Sequence, residues 1–271
     1  MNINCRMIIT DMDGTLLNND SLLTTYTKNV IKKARENNIK IVIASGRDER
    51  MLLEYMSDDN LADYIISCNG ATIRNNKTKE LIAEVCLSDD VSKSIVNDLL
   101  LNKLNFTMYS KDIMYYTSCE KINLRIEKLR QTYKKYNKVV DFYQINELNN
   151  REINYRGIYK IVVYTNEVEI IKDIASKYDA ICESTGENMF GIFNSNANKG
   201  SAVNTILDYC GINNNQAICF GDYSNDVPMF KLCENSVAMK NSSKDLLEIC
   251  KYIADTNQED GVAKFIEEYL I

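Results

Sequence analysis

The sequence predicts an α/β protein: a doubly wound parallel sheet interrupted by an inserted α/β segment. Three observations predict it. Short apolar, β-branched runs alternate with amphipathic stretches near both ends of the chain, the rhythm of βαβ units covered on both faces. Several of these runs end on polar clusters, where ligands bind in an open α/β sheet. Between about 84 and 188 the texture changes to a stretch rich in Tyr, Lys and Asn. These observations divide the chain into a core of 1–83 plus 189–271 and an inserted domain of 84–188.

In chain order, 6–11 reads as a strand and 24–37 as a helix with Val30, Ile31 and Ala34 on one face. A β-branched strand at 39–44 precedes a helix over about 47–57. A strand at 64–67 ends on Cys68-Asn69-Gly70, and Asn75-Asn76-Lys77-Thr78-Lys79 reads as a hairpin turn. The insert holds strands at 106–109, 113–117 and 159–165, with helices near 89–103, 120–136 and 167–178. The first rhythm then returns. Helices at 199–209, 225–232, 243–249 and 261–270 alternate with strands at 216–220, 236–239 and 252–254.

Composition narrows the chemistry. The chain has 271 residues, 45% apolar and 26% charged, enough for a sizeable core. Its net charge of −6 offers no electrostatic support to a nucleic-acid partner. No run approaches a membrane span, and the first residues lack a signal peptide's apolar stretch, so a cytoplasmic protein is expected. Nine cysteines, odd in number, scattered and without a C-x-x-C pair, read as reduced packing residues. There is no histidine. That excludes Ser-His-Asp and Cys-His sites, histidine phosphotransfer and histidine-ligated metals, and leaves acid–base work to Asp, Glu, Lys, Tyr or Cys. A carboxylate site with a hard, oxygen-liking cation becomes the natural candidate.

Polar clusters stand where strands end: Asp11 and Asp13, Ser45-Gly46-Arg47, Asn69-Gly70, and Gly221-Asp222-Tyr223-Ser224-Asn225-Asp226, with Lys199-Gly200 opening a helix. Taken singly each is a turn or a solvated helix start, since these are turn residues. Jointly they bring two acidic clusters, a hydroxyl, an amide and a lysine to one sheet edge. Two carboxylates as close as Asp11 and Asp13 disfavour each other's ionisation unless positive charge accompanies them.

In order along the chain, "DMDGTL" (11–16), "SGR" (45–47), "NKG" (198–200) and "GDYSND" (221–226) resemble the four motifs of the haloacid dehalogenase superfamily. The "NG" at 69–70 and the late "EDGVAKFIEEYL" (259–270) are similar to its Cof-type phosphatases, whose type-2 cap lies between the second and third motifs. The resemblance implies a Rossmann-like catalytic core and a cap at 84–188 that governs substrate choice. It also implies a Mg²⁺ ion held by an Asp11 side-chain oxygen, the Asp13 backbone carbonyl and Asp222, with Asp226 and Asn225 orienting that set. Ser45 and Asn69, with Gly46 beside them, would bind the phosphoryl oxygens, and Lys199 would neutralise charge on the phosphoryl group and Asp11.

A carboxylate is ionised at neutral pH, so Asp11 needs no base to attack phosphorus. Asp13 would protonate the leaving alkoxide, then take a proton from the hydrolytic water. Gly14 permits the sharp turn that aims it. Arg47 admits two readings, a substrate contact or an ion pair at a helix start. Two positions depart from the family pattern: Gly191, where a Glu is common, and Met239-Lys240-Asn241-Ser242, where Met-Gly-Asn-Ala is common. Both bear on substrate contacts and neither removes a catalytic part.

The expected function is a Mg²⁺-dependent phosphatase of small phosphorylated metabolites, sugar phosphates foremost, acting through an aspartyl-phosphate, without a nucleic-acid or membrane partner. A phosphomutase of the same superfamily would reveal itself by isomerised product. A receiver-like signalling domain needs neither Asp13-Gly14-Thr15 nor an insert. A non-catalytic metabolite binder is expected to show a broken motif.

Overall fold

The computed structural model describes residues 4–56, 61–145 and 152–271. The chain divides into two compact units, Met1–Glu84 with Asn198–Ile271, and Val85–Ala197. In the first segment, β1 (Met7–Thr10) is buried throughout, and α1 (Thr25–Glu36) starts where the Thr24 side chain accepts the Thr27 N–H. After β2 (Lys40–Ala44), a 3₁₀ turn (Glu49–Leu52), capped by Asp48, runs into a short α2 (Leu53–Met56). The helix expected from 47 therefore begins two residues later, and its last residue, Ser57, lies outside the described residues. β3 (Tyr64–Ser67), β4 (Thr72–Asn75) and β5 (Leu81–Glu84) follow. The turn after β4 is held by Asn75 Oδ1, which accepts the N–H groups of Lys77 and Thr78 at 3.0 Å each.

The second unit contains α3 (Asp89–Leu101), β6 (Asn105–Tyr109), β7 (Ile113–Tyr116), α4 (Glu120–Lys135) and β8 (Asp141–Gln144). It continues through β9 (Lys160–Tyr164), α5 (Val168–Lys177), β10 (Ala180–Gly186) and β11 (Met189–Asn194). Its six strands run in the order β10-β11-β9-β6-β7-β8, antiparallel except for β7 beside β8. One face buries Phe106, Met108, Ile161 and Val163 against Ile95 and Leu99 of α3 and Ile171 of α5. The boundary expected at 188/189 moves to Ala197. β11 spends its backbone hydrogen bonds on β10 and β9, so it belongs to this sheet rather than to the core. At Gly191 the ring of Phe193 occupies the place a side chain would take, since a Cβ there would lie 2.6 Å from Phe193 Cε2.

The last segment supplies α6 (Lys199–Cys210), β12 (Ala217–Gly221), α7 (Val227–Leu232), β13 (Asn235–Met239), α8 (Lys244–Ile249), β14 (Tyr252–Ala254) and α9 (Gly261–Tyr269). Residues 224–226 form a separate 3₁₀ turn, so the helix expected from 225 starts at Val227, with Pro228 in its first turn. The first unit's sheet runs β14-β13-β12-β1-β2-β3-β4-β5, parallel up to β3 with an antiparallel edge pair beyond. Alternate β1 residues face opposite ways. Ile8 packs with Val30 and Ile31 of α1 and Phe265 and Ile266 of α9, while Met7 and Ile9 pack with Val203 and Ile206 of α6 and Met229 of α7. β1 stands between β12 and β2, where the strand order reverses, and the crevice at its carboxyl end is the expected ligand position. All nine cysteines are free, as packing residues should be.

Candidate active site

β1 stops at Thr10, and the Asp11 N–H still bonds the Phe220 carbonyl of the neighbouring strand at 3.0 Å. The chain then turns tightly through Met12–Leu16, with Gly14 at φ +75°. Glycine is required there twice over. The backbone is left-handed, and a Cβ would collide with Asp222 Oδ2. The same turn brings Thr15 Oγ1 to donate to Asp222 Oδ1 at 2.9 Å.

Lys199, the first residue of α6, is completely buried and joins two carboxylates. Its Nζ lies 2.6 Å from Asp11 Oδ1 and 2.6 Å from Asp226 Oδ1. Burial alone would lower the ammonium pKa, but the two carboxylates outweigh it and raise it. Asp226, also fully buried, uses its other oxygen to accept the N–H groups of Asp222 (3.0 Å) and Tyr223 (3.1 Å). It thereby shapes the loop that presents Asp222.

Ser45 and Asn69 arrive from the ends of β2 and β3, and both are buried. The Asn69 N–H donates to the Ser45 carbonyl (3.0 Å), and the Arg47 N–H to Ser45 Oγ (3.1 Å). Asn69 itself sits at φ 56°, and its Oδ1 accepts from Asn225 Nδ2 at 3.1 Å. Gly46 leaves room for this amide, since a Cβ there would be 2.8 Å from Asn69 Oδ1. The turn brings Asn69 close enough that a Cβ on Gly70 would strike the carbonyl of Asn198, the residue before Lys199.

Arg47, just ahead of the turn capped by Asp48, is paired with Asp13. Nε donates to Asp13 Oδ2 at 2.7 Å and Nη2 to Oδ1 at 2.5 Å, a two-pronged grip. The guanidinium also lies over the Tyr55 ring, 5.5 Å from its centre. The Asp13 carboxylate is half-exposed and turned to Arg47, apart from the buried Asp11–Lys199–Asp226 group.

The electrostatics ask for one more cation. Oxygens of Asp11, Asp222 and Asp226 all lie within 4.8 Å of one another, with the single ammonium of Lys199 among them. Burial, against the opposing charge of Lys199, leaves the Asp11 pKa well above the carboxylate range. Burial and then the charge of Asp226 push Asp222 up to about 6. A divalent, oxygen-liking ion fits this donor set, because it would relieve both carboxylates at once.

Every site residue expected from the sequence lies at this edge of the first unit's sheet. The sequence reading missed Tyr55 beside Arg47, the tie from Thr15 to Asp222, and Asn241, whose Nδ2 donates to the Gly14 carbonyl at 2.8 Å. Thr15 stood inside the quoted motif and could have been found there. Nothing local marks Tyr55.

Residues 8–266 match the family model described as haloacid dehalogenase-like hydrolase. The candidate phosphatase YxeH of Bacillus subtilis (strain 168) is 28% identical over 275 residues, covering 98% of each chain. The 5-amino-6-(5-phospho-D-ribitylamino)uracil phosphatase YwtE of the same organism is 26% identical over 287 residues, again covering 98% of each. Among solved structures, the subclass IIB sugar phosphatase BT4131 superposes with a TM-score of 0.80 at 19% identity, covering 97% of this chain and 98% of that one. That last likeness is one of fold. Among the described residues, no helix is long and apolar enough to cross a membrane.

Proposed function

This chain belongs to the haloacid dehalogenase-like hydrolases as an enzyme of the phosphomonoester-hydrolase class, and from that premise we propose that it is a Mg²⁺-dependent phosphatase of small phosphorylated metabolites, sugar phosphates foremost. The observation that carries the reading is the buried Lys199 bridging Asp11 and Asp226, with the separately paired Asp13 two residues from Asp11. Bound by Asp11, the Asp13 carbonyl and Asp222, Mg²⁺ would supply the positive charge that offsets repulsion between the Asp11 carboxylate and a phosphate dianion.

The chain's own residues do the rest. An Asp11 oxygen forms a bond to phosphorus as the ester P–O bond breaks, and the departing electron pair stays on the alkoxide oxygen. Asp13, in its acid form, gives that oxygen a proton and becomes a carboxylate. It then removes a proton from water, whose oxygen bonds phosphorus while the bond to Asp11 breaks. Arg47 grips both Asp13 carboxylate oxygens and fixes their direction, and part of that grip must give way as Asp13 donates or takes a proton. Lys199 neutralises charge on the phosphoryl oxygens, and Ser45, Asn69 and Asn225 hold them by hydrogen bonds. The unit of Val85–Ala197 selects the leaving group, by resemblance to type-2 caps.

Two experiments test this. Chelator should remove activity, Mg²⁺ should restore it, and the larger Ca²⁺ should restore it poorly. Full turnover in excess chelator would sink the metal assignment. Asp13→Asn should slow the first step on an alkyl phosphate by roughly two to four powers of ten, because a poor leaving group needs the proton. Nitrophenyl phosphate should still phosphorylate Asp11 and show a burst of nitrophenolate followed by slow turnover. Equal losses on both substrates, with no trapped phosphoenzyme, would mean that Asp13 is not the acid and base.

A further inference from the structure

The segment Met239-Lys240-Asn241-Ser242 has no part in the reaction as derived above, yet it is bonded to both acidic loops. Asn241 Nδ2 donates to the Gly14 carbonyl at 2.8 Å, and Asn241 Oδ1 accepts the Asn257 N–H at 3.0 Å. On its other side, Ser242 Oγ donates to the Gly221 carbonyl (3.2 Å) and the Ser243 N–H to the Asp222 carbonyl (2.9 Å). The segment is also anchored where it begins. Met239 closes the β13–β14 ladder opposite Ala254, and Lys240 is paired with Asp255 at 2.6 Å. Asn257 in turn donates through Nδ2 to the Leu17 carbonyl at 2.9 Å, so the turn carrying Asp13 is gripped at two carbonyls.

Gly14 is the point where such a grip matters. Its backbone is the least restrained kind, and it follows Asp13 directly. The direction of the Asp13 side chain depends on how that peptide is held. An asparagine amide can donate to one backbone group while accepting from another, which ionised Asp or Ala cannot. We infer that Asn241 is a positioning residue that fixes the Gly14 carbonyl and thereby the aim of Asp13. The inference rests on the reading of Asp13 as acid and base.

A double-mutant cycle separates this from plain stabilisation. Asn241→Asp keeps the acceptor and sets a repelling oxygen against the Gly14 carbonyl. It should lower kcat on an alkyl phosphate by about 10- to 100-fold with KM little changed, the scale of a small misplacement of a reacting group. On nitrophenyl phosphate the burst should be nearly intact. In an Asp13→Asn background the same change should cost nothing further. Asn241→Ala, which deletes the donor without adding repulsion, carries the same cycle should the aspartate variant fold poorly. A structural role predicts equal losses on both substrates that persist in the Asp13→Asn background and follow the melting temperature, and this result would overturn the inference. So would a raised Mg²⁺ concentration for half-maximal rate, which would place the effect at the metal ligands, the Asp13 carbonyl or Asp222, and not at the aim of the Asp13 side chain. If Asp13→Asn alone shows no leaving-group dependence, the acid–base reading falls and takes this inference with it. If that dependence is present and the losses simply add, the inference alone fails.

Discussion

Asp11→Asn is expected to end turnover, lowering kcat on any phosphomonoester by about four powers of ten or more. The amide has neither the charge nor the lone-pair availability of a carboxylate, so no bond to phosphorus forms. The fold should survive, because Lys199 keeps its 2.6 Å pair with Asp226 and is not left as a buried lone charge. The measurement is a rapid acid quench followed by mass spectrometry of the intact chain. Wild type should carry a phosphoryl group on Asp11, and the variant none. A phosphorylated Asp11→Asn chain would move the nucleophile elsewhere.

The second large effect is on stability as well as rate. Lys199→Met deletes the buried ammonium and leaves the Asp11 carboxylate facing Asp226, which keeps only the backbone N–H groups of Asp222 and Tyr223 on its other oxygen. Breaking a buried pair from one side costs about 3–5 kcal/mol, and catalysis should fall with it. Burial already raises the Asp11 pKa in the folded protein, and removing the opposing charge of Lys199 raises it further. A raised folded-state carboxylate pKa means that the native state binds more protons than the unfolded chain. The variant should therefore gain stability as pH falls and lose it as pH rises through the carboxylate's folded value. Thermal melts in chelator at acidic and mildly alkaline pH check this. A deficit equal at both pH values would show that the loss is one of packing, not of uncompensated charge.

The quality of the site as read from the sequence follows the range of the interactions that build it. Asp11 and Asp13 were legible because a strand's end and its next turn are local features. Asp222, Asp226 and Lys199 were legible because each opens or closes a recognisable element of the same sheet. The partner of Arg47 was not legible, since 34 residues separate it from Asp13 and the pairing depends on how β2's end lies beside β1's. Asn241 reaches Gly14 across 227 residues, and Thr15 reaches Asp222 across 207. No periodicity carries such information.

The strand β11 shows the same limit in the fold. Its run Met189-Phe190-Gly191-Ile192-Phe193-Asn194 lies just before the lysine motif, and sequence order placed it with the core. Strand pairing decided otherwise, because the hydrogen-bonding groups of a strand go to whichever neighbours tertiary packing supplies. By itself the sequence determined the alternation of strands and helices, the doubly wound parallel sheet and the residue types gathered at its carboxyl edge. These follow from periodicity and local turn chemistry. Only the tertiary structure decided that Asp13 is held by Arg47 apart from the buried Lys199 group, that Gly14 must leave room for Asp222, and that Asn241 and Ser242 side by side tie one acidic loop to the other. Those are matters of register and close approach between distant segments, where the requirement that each buried polar group find a partner selects one arrangement.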